Sequence, residues 1–529
     1  MIYTTRNFNY WSSRGIPGPK PLPLLGNLFT NLLKPIPKVL LDNHKLYGKV
    51  YGTYMGSLPI LNISDPQLVK QMNIRDFNVF IDRNDIDFVD PLQERSLFNM
   101  KANEWKNMRS IISPTFSSSK MRSMHPIVVD CVQRLDRYME PKARNRETIE
   151  TKKTMGCLTM DVIAACAFGT QIDTYDDQKP SEFVLNAQKV FAVGLRPLLF
   201  LAILSMGKRF LKLTGYKFTD PTVEKFFTQA IQSIIAKRKS SDVKQQQQQQ
   251  QKPVDYLQLI LDAKDKCMDT NDEELDVNGS SSTRSSSSSS NGVDDSSKEI
   301  YGQSDDTNDK TSNTNNNNKL IDITDTDVLA SSYVFFVAGY ETTGSLLSLL
   351  FYRLALDEDC QQKLFDEIRR LNGRYDYETI GKMSYLEACI AETLRLYNPA
   401  AYFTRIANQD YTIESIGLKI PKGMNVSFDI ETLHHNPDYY PEPDCWKPDR
   451  FMPENRDRLV PYTYMPFGLG PRNCVAMRFA LMETKTAVVY LVNKYHFYRT
   501  PETNLQPKPQ IMQFLLNLKP LNIGIELRN

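Results

Sequence analysis

The sequence predicts a mainly α-helical protein with a small β-rich lobe near the N-terminus. Apolar residues recur at helical spacing over most of the chain after about residue 100, which is typical of helices that bury one face. Residues 49–63 instead alternate, with a turn at Gly56-Ser57, and predict a β-hairpin. A Gly-rich stretch, 466–480 (PFGLGPRNCVAMRFA), places Cys474 where a turn enters a predicted helix over 475–490. These patterns favour one helical body with a small sheet.

Composition and charge narrow the class of protein. The chain has 529 residues, of which 41% are hydrophobic, so it can bury a sizeable core. Lys plus Arg number 64 and Asp plus Glu number 62, so no strong overall field draws the chain to nucleic acid. Eight cysteines without repeated spacing do not predict a disulfide framework, and five histidines without a C-x-x-C pair do not favour a zinc site. Reduced, cytosol-facing surroundings fit this usage best.

The chain divides into a tail, a hinge and one large domain. Residues 1–14 hold no apolar run of the ~20 residues that a membrane span needs, and no signal-peptide core. The four prolines of residues 15–27 predict a stiff hinge. Residues 28–529 then form one domain, which contains a Gln tract at 245–251 and a low-complexity insertion at about 264–319. Little apolar surface offsets the ordering entropy there, so we predict a disordered surface loop. The apolar island Asp255–Asp262 predicts a short helix.

Cys474 is the strongest candidate for chemistry. The backbone N–H groups at a helix start, together with Arg472, favour an anion, so we expect a lowered thiol pKa. The neighbouring glycines would let a flat, bulky group approach the backbone. Taken alone, such a residue is more often a buried structural cysteine.

A second candidate lies in a long apolar helix. Thr324 and Asp327 have the spacing of a capping box, and the helical pattern continues to about residue 356. Gly339 and Gly344 flank an acid–alcohol pair, and they predict a local opening of the helical hydrogen bonds. The alternative is a transmembrane helix over 328–352, which would place the acid near mid-bilayer at high cost.

A series of motifs, in order along the chain, resembles the cytochrome P-450 heme-thiolate monooxygenases. They are the Pro-rich hinge 15–27, Trp105–Arg109 (W-x-x-x-R), Ala338–Thr343 (A-G-x-[DE]-T-T), Glu392–Arg395 (E-x-x-R), Pro448–Phe451 (P-x-R-F) and Phe467–Ala476 (F-G-x-G-x-R-x-C-x-G). One position departs, because Ala476 stands where the pattern closes with glycine. The wording is nearest to the animal microsomal branch that oxidises drugs and steroids.

The resemblance implies a mainly helical, triangular fold that holds heme b between the long helix and the cysteine loop. It makes Cys474 the axial ligand of the iron, and Glu341 and Thr342 the pair that delivers protons while O2 is activated. Further cofactor-binding residues are implied at the following positions: Trp105, Arg109, Arg405, Phe467 and Arg472.

The same resemblance assigns supporting roles. Glu392, Arg395 and Arg450 are implied to form a buried structural network that holds the heme loop, whereas in isolation the first two would be an exposed ion pair. The residues implied to line an apolar substrate pocket are Phe98, Ala338, Ala401, Tyr402 and Phe403. His434-His435 could be taken for a metal pair, but we interpret the two as part of a solvent-facing loop.

The implied activity is insertion of one oxygen atom into an apolar steroid, lipid or xenobiotic. No G-x-G-x-x-G nucleotide fingerprint occurs between a strand and a helix, so electrons must come from another protein. The resemblance implies an NADPH-dependent diflavin reductase, with cytochrome b5 as a second donor. The expected docking face is basic: Lys101, Lys106, Lys120 and Arg122.

We expect attachment to the cytosolic face of the endoplasmic reticulum, with the apolar segment 191–206 as the membrane contact. Because no N-terminal anchor is visible, a peripheral or cytosolic enzyme is the alternative. Three rival functions stay open: a heme-thiolate enzyme that rearranges peroxides, a heme carrier or sensor, and a scaffold built on the polar tracts. Glu341 and Thr342 together favour oxygen activation over the first two.

Overall fold

The computed structural model describes residues 5–528, apart from 85–89, 173, 178, 192–195, 197–198, 201–202, 205–207, 249–254, 274–322 and 512–514. In that part of the chain, helices make up most of the regular structure, and the predicted fold class is confirmed. Most of the insertion predicted at about 264–319, and parts of segment 191–206, lie outside the described residues.

The helices before the insertion cover the first half of the chain. They are α1 (Leu28–Leu33), α2 (Ile36–Tyr47), α3 (Pro66–Lys70), α4 (Pro91–Glu94), α5 (Ala102–Ile112), α6 (Ser118–Arg144), α7 (Thr151–Phe168), α8 (Glu182–Phe191), α9 (Lys208–Thr214), α10 (Pro221–Gln248) and α11 (Tyr256–Glu273). The island at 255–262 is therefore helical as predicted, but its helix continues nine residues past Lys264. The buried ammonium of Lys264 donates to Asp325 (2.5 Å), which ties α11 to the start of the next helix.

The second half adds six helices among the described residues. They are α12 (Asp325–Leu356), α13 (Glu358–Arg369), α14 (Tyr377–Gly381), α15 (Ser384–Leu396), α16 (Ile430–His434) and α17 (Met477–Lys494). The capping box predicted for α12 is present, because Thr324 accepts from the Asp327 amide and Asp327 accepts in return. Helix α17 begins two residues later and ends four residues later than the predicted 475–490.

Two sheets of more than two strands flank this helical body. The first has the order β1-β2-β7-β4, from Val50–Met55, Leu58–Ile63, Asn425–Asp429 and Tyr402–Ile406. Its hairpin was predicted, but half of this lobe comes from residues 402–429 rather than from the N-terminus. The second has the order β3-β9-β8, from Thr148–Glu150, Asn522–Leu527 and Tyr495–Tyr498. A short β5-β6 pair joins Tyr411–Ile413 to Leu418–Ile420.

The long helix α12 crosses the core and packs closely on α7. A Cβ built on Gly339 would lie 2.5 Å from Ile163 Cδ1, and one on Gly344 would lie 3.4 Å from Gly156 Cα. The predicted local opening at these glycines is wrong, because α12 is continuous from Asp325 to Leu356. The glycines instead allow two helices to approach, which compensates for their weak helix propensity.

Among the described residues, one helix, α12, is long and apolar enough to cross a membrane. However, 72% of its most apolar window is buried inside the protein. Such burial is expected of a core helix, so the structure supports this interpretation over the transmembrane alternative.

Candidate functional site

The loop before Cys474 has a backbone that only glycine accommodates. Gly468 and Gly470 have φ of 77° and 75°, in the left-handed region. A Cβ on Gly470 would lie 1.9 Å from the carbonyl oxygen of Asn73, so the loop is clamped there against the short helical turn that follows α3. The Cys474 amide then donates to the Phe467 carbonyl (2.9 Å) and closes the loop. Ala476 has a φ of −95°, which any L-residue can adopt, so the backbone at this position does not require glycine. This explains why alanine is tolerated where the pattern has glycine.

The Cys474 thiol lies in an unusual environment. The side chain has accessible surface, yet it is surrounded by protein, and desolvation raises the pKa of the thiol. This combination indicates the wall of an internal cavity rather than the outer surface. The predicted fall in the thiol pKa is therefore wrong for the protein alone: the Ala476 N–H and the charges of Arg109 and Arg83 oppose the effect of burial but do not overcome it.

Four arginines surround the cysteine loop. Arg109 donates to the backbone oxygen and the side-chain oxygen of Asn473, at 2.9 Å each. Arg83 donates to the Arg472 carbonyl (3.0 Å), and the Arg472 guanidinium donates to the Met100 carbonyl (2.5 Å). Arg405 is 1% exposed and donates to the Thr404 carbonyl (2.9 Å). Arg83 and Arg109 therefore hold the loop from two other segments, Arg472 ties the loop to Met100, and Arg405 has its hydrogen bond within its own strand.

This arginine cluster (Arg83, Arg109, Arg405 and Arg472) carries more positive charge than the protein balances. Among the described residues, one carboxylate pairs with it, Asp82, at 3.6 Å from Arg472. The buried Nε atoms of Arg83, Arg405 and Arg472 have no hydrogen-bond partner. Burial lowers the pKa of Arg83 to about 10 and the pKa of Arg472 to about 9.

A flat cofactor with two carboxylates suits this excess of donors. Buried cations without partners are costly, and bidentate guanidinium–carboxylate pairs satisfy them. Trp105 is buried, and the Arg472 guanidinium lies 4.3 Å from the centre of its ring, so the indole backs this cluster. The residues present therefore fit heme: the arginines would pair with its two propionates, and Cys474 would hold its iron.

We interpret one face of helix α12 as the opposite wall of the site. Ala338 is exposed and Thr342 is partly exposed, whereas most residues of this helix are buried. The two are four residues apart and share one face. The Thr342 hydroxyl donates to the Ala338 carbonyl (2.8 Å). Phe116 stacks on Phe335 of α12 (5.7 Å) and contacts Phe479 of α17 (6.4 Å), so this helix wall and the cysteine segment belong to one packed unit.

Glu341 has a different orientation from Thr342. Its side chain is 5% exposed and forms an ion pair with Lys152 of α7, with Nζ 2.7 Å from Oε1. The same ammonium donates to Asn517 Oδ1 (2.7 Å). Adjacent positions on a helix lie about 100° apart, so the acid faces α7 while the alcohol lies on the partly exposed face that carries Ala338.

The structure brings Glu392, Arg395 and Arg450 together in the interior. Glu392 and Arg395 form a bidentate pair (2.7 and 2.9 Å) with both side chains fully buried. Arg450 donates to the same carboxylate at 3.2 Å. The solvated alternative for this pair is thus excluded, and each charge is matched by a partner.

This carboxylate network continues to the cysteine loop through a histidine. Arg395 donates to the His434 carbonyl (2.8 Å), and His434 Nε2 accepts from the Met465 amide (3.0 Å). The prediction of a solvent-facing loop at 434–435 is wrong, because His434 is fully buried at the end of α16 and stacks on Tyr464. The pKa of His434 lies well below its usual value because of burial.

The predicted pocket residues divide into two groups. Tyr402 and Phe403 lie on β4, where Phe403 stacks on Phe428 (5.1 Å) and lies 4.8 Å from the Arg405 guanidinium. Ala401 is buried just before them. Phe98 is 40% exposed and lies under the Arg83 guanidinium (4.2 Å). Strand β4 thus joins Arg405 of the cluster to the aromatic residues beside it.

Two residues of this site were missed in the sequence. Arg83 follows no recognised spacing, and its only signal is that it follows Asp82 in a charged pair after the mostly apolar segment 77–81. Lys152 lies in a Lys-Lys pair at a helix start, where a solvated side chain is the ordinary expectation. Both residues join the site only through contacts between segments that are far apart in sequence.

The fold and this site define a helical protein whose cysteine loop and arginine cluster suit a flat, dianionic cofactor. The family model for cytochrome P-450 matches residues 16–282 and 289–525. The chain is 31% identical to cytochrome P-450 3A11 of Mus musculus and 31% identical to cytochrome P-450 3A5 of Homo sapiens, in each case over 100% of this chain and 94% of the relative. It is 29% identical to cytochrome P-450 3A31 of Mesocricetus auratus over 99% of this chain and 94% of the relative.

The chain belongs to the cytochrome P-450 family. It is a monooxygenase that uses heme iron and O2, as the sequence motifs indicated.

Proposed function

We propose that this monooxygenase inserts oxygen into an apolar small molecule of the steroid, lipid or xenobiotic class, with Cys474 as the thiolate ligand of heme iron. The observation that carries the proposal is the pairing of an internally exposed, desolvated Cys474 thiol with an arginine cluster whose charge is largely unbalanced. When bound, heme supplies the activation and transfer of oxygen. The rest of the work falls to the side chains of this chain.

Cys474 and the arginine cluster hold the cofactor. A cation bound to the thiol favours the thiolate and reverses the cost of burial. Arg83, Arg109, Arg405 and Arg472 offer guanidinium donors to the propionates, which relieves their mutual repulsion. A structural network holds the Cys474 loop in position through the Met465 amide. Its members are Glu392, Arg395, Arg450 and His434.

Thr342 and Glu341 manage protons on the helix wall. The Thr342 hydroxyl can turn from the Ala338 carbonyl and present its hydrogen to the cavity. Glu341 is the acid that resupplies it. Positioned acid–base groups of this kind contribute about 10²–10⁴-fold to rate. This pair also favours oxygen activation over peroxide rearrangement, and turnover of an organic hydroperoxide without NADPH would separate the two.

The carbon monoxide complex of the dithionite-reduced protein tests the ligand directly. A strongly red-shifted Soret band in the wild type that is absent from Cys474→Ala supports thiolate ligation. Cys131→Ala is the matched control, because that cysteine is buried in the core and away from the loop. An unshifted band in loaded wild-type protein would overturn the proposal.

The apolar character of the substrate is supported by the side chains that face the site. Ala338 on the helix wall is exposed, and Tyr402 and Phe403 of β4 are partly exposed, so they offer alkyl and aromatic surface, whereas Ala401 is buried. Binding of an apolar steroid should displace solvent beside the iron and shift the Soret band of the oxidised protein. We expect Ala338→Phe to weaken that shift for bulky steroids and to leave smaller apolar probes less affected.

Electrons are proposed to come from an NADPH-dependent diflavin reductase, with cytochrome b5 as an auxiliary donor. Lys106 is exposed on α5, and Lys120 lies nearby in sequence at the start of α6. Arg122 forms an ion pair with Glu378, so part of the predicted basic face is neutralised within the chain. Reduction of the Lys106→Glu/Lys120→Glu variant should be slower and less salt-dependent than that of wild type. Lys419→Glu, at the exposed middle position of β6, is the control.

Membrane attachment at the cytosolic face of the endoplasmic reticulum is proposed to use an apolar surface around α9. Leu199 and Leu213 are 42% and 82% exposed there, whereas Phe200, which lies within the predicted segment 191–206, is buried and offers no surface to lipid. Met55 packs against the buried cluster of Phe200, Leu204 and Leu211. Met55 also forms an antiparallel β-bridge with Gly26, two residues after the exposed Leu24. Leu198 lies outside the described residues.

A vesicle assay tests this surface. We expect Leu24→Ser/Leu199→Ser/Leu213→Ser to reduce sedimentation with anionic phospholipid vesicles, because exposed leucines supply the apolar area that enters the interface. Leu505→Ser, an exposed leucine elsewhere, is the control. Unchanged sedimentation would contradict the proposal.

A further inference from the structure

The segment before the Pro-rich hinge docks on the sheet lobe and is not a free tail. Trp11 is 4% exposed, and its indole Nε1 donates to the Thr53 carbonyl of β1 (3.1 Å). The Trp11 amide donates to the Tyr54 hydroxyl (3.2 Å), which in turn donates to the Phe8 carbonyl (3.0 Å). The Phe8 and Tyr54 rings also pack against each other, with centroids 5.6 Å apart. Trp11 therefore anchors this segment in the core of the lobe.

The hinge itself runs along the outer edge of β1. Strand β1 comes first in the sheet order β1-β2-β7-β4, so only its inner edge pairs with another strand of that sheet. On the outer edge, the Gly52 amide donates to the Pro17 carbonyl (2.8 Å). The Asn27 side-chain oxygen accepts from the Tyr54 amide, and the Asn27 amide donates to the Tyr54 carbonyl, at 2.8 Å each. Residues 7–27, which we call the strap, thus supply the hydrogen-bond partners that an edge strand lacks.

Two glycines allow the strap to lie directly against β1. A Cβ on Gly18 would lie 2.0 Å from the Gly52 carbonyl oxygen, and one on Gly52 would lie 2.2 Å from the Trp11 ring. Glycine inside a strand weakens that strand, and it often marks a place where another part of the chain approaches closely. The strap therefore accounts for a glycine in the middle of β1.

The edge beneath the strap has no protection of its own. Strand β1 has the sequence Val-Tyr-Gly-Thr-Tyr-Met, without a charged residue or a proline. All six residues pair with β2 in an unbroken antiparallel register, so β1 also lacks a bulge. Charges, prolines and bulges are the usual means of stopping an edge strand from pairing with another chain. On β1 the strap takes their place.

We propose that the outer edge of β1 is a latent pairing surface for a second copy of this chain, and that the strap, held in place by Trp11, keeps it closed. When the strap is released, the outward backbone groups of Gly52 and Tyr54 pair with those of β1 in the second copy. Each copy then offers the same surface, so antiparallel pairing of the two edges gives a closed two-fold dimer. This association is independent of the ligand of the heme iron.

Exposed leucines offer a second route to association. Leu22 and Leu24 lie within the strap and are 46% and 54% exposed. Contact between copies through these side chains would leave the outward amides of β1 without new partners. The exchange of those amide hydrogens with solvent therefore distinguishes edge pairing from apolar association.

The test compares heme-loaded wild type with Trp11→Ala over a range of protein concentrations. Amide hydrogen exchange over residues 50–56 and the molecular mass in solution are measured together. At low concentration we expect the Gly52 and Tyr54 amides of Trp11→Ala to exchange about 10-fold faster than those of wild type, because the strap no longer covers them. As the concentration rises, their protection should return together with the mass of a dimer. In wild type these amides should stay protected at every concentration.

Two further variants control this comparison. Trp446→Ala removes another buried indole, whose Nε1 donates to Thr393 Oγ1 (3.1 Å) far from the strap in sequence, and it should leave exchange over residues 50–56 unchanged. Asn27→Ala keeps the Trp11 anchor but removes the acceptor of the Tyr54 amide. It should speed exchange of that amide in the same direction and by less. If Trp11→Ala does not fold, Asn27→Ala decides the question by the same criteria.

The possible results separate the parts of the proposal. Slow exchange of the Gly52 and Tyr54 amides in the dilute variant would overturn it, because Trp11 would then not hold the strap. Fast exchange that persists at every concentration in a monomer would also overturn it, because the open edge would not pair. A dimer whose β1 amides still exchange fast would assign association to the leucines instead. Protection that returns with the dimer mass supports the proposal.

Discussion

The two walls of the candidate site are built by opposite means. The loop wall, residues 466–476, has an irregular backbone with two glycines in the left-handed region and a cluster of arginines behind it. The helix wall, residues 338–345, is regular and is set close to α7 by glycines with ordinary dihedral angles. One wall depends on special backbone geometry, and the other on close packing.

This difference shows where each wall is vulnerable. The loop wall cannot move without breaking a buried network that reaches from Glu392 to Met465. The helix wall can absorb small changes, because the closest neighbour of Gly339 is the end of the flexible Ile163 side chain. Substitutions on the loop side should therefore cost more than equal changes on the helix side.

The largest effect is expected from breaking the network behind the loop wall. Arg395→Met leaves the fully buried Glu392 with Arg450 alone as a cation, and breaking such a pair costs about 3–5 kcal/mol of unfolding free energy. Urea unfolding and the amplitude of the carbon monoxide band should both show the loss. Lys217→Met, which breaks a partly exposed pair with Glu224, is the control and should cost less than about 1 kcal/mol. Equal costs would contradict the special cost assigned to breaking the buried network behind the loop wall.

The next effect tests the special backbone itself. Gly470→Ala adds a Cβ at φ 75° and 1.9 Å from the Asn73 oxygen, which we expect to cost about 2–4 kcal/mol. Gly417→Ala, at φ 63° with no atom within 4 Å, isolates the strain alone and should cost about 1–2 kcal/mol. Thermal melting of both variants measures the difference. If the two melt alike, the clamp on Asn73 contributes nothing.

A pH effect is expected in the sheet that carries Arg405. Asp429 is buried on β7, and desolvation raises its pKa to about 7 although Tyr51 (2.7 Å) and Ser427 donate to it. The folded protein binds this proton more tightly than the unfolded chain, so its stabilisation is complete below about pH 4 and is lost as the pH rises through 7.

The measurement for Asp429 is the unfolding free energy at pH 5 and pH 8. Wild type should lose about 1–3 kcal/mol more than Asp429→Asn over this range. Parallel losses in both proteins would place the pH dependence elsewhere.

The smallest effect is expected on the helix wall. Gly339→Ala places a Cβ 2.5 Å from Ile163 Cδ1, but that methyl group can move and alanine favours the helix, so the net cost should be about 1 kcal/mol. Gly339→Ala/Ile163→Val removes the colliding methyl group and should recover wild-type stability. A cost above that of Gly470→Ala would reverse the comparison.

Much of the loop wall could be predicted from sequence, because its demands are local. Gly468, Gly470 and Cys474 lie within seven residues, and only glycine meets the backbone angles there. The boundaries of α12 were readable for the same reason, since a capping box and an apolar pattern mark them directly. The hairpin at 50–63 followed from alternation and a turn.

The remaining features depended on contacts that no local pattern records. The thiol pKa was predicted in the wrong direction because helix ends and charges are visible in sequence, whereas the depth of burial is not. The sheet also recruits β4 and β7 from residues far along the chain. Gly339 was taken as a weak point because its partner, Ile163, is 176 residues away.

The sequence by itself determined the helical class, the cysteine loop and the acid–alcohol pair, because periodicity, glycine conformation and residue spacing act over a few positions. Only the tertiary structure decided which charges meet. It placed Arg83 against the Arg472 carbonyl of the cysteine loop, 389 residues away in sequence. It also paired Lys152 with Glu341, which are 189 residues apart. Electrostatic energy depends on the distance between charges and on their burial in the folded chain, and local sequence patterns reveal neither quantity.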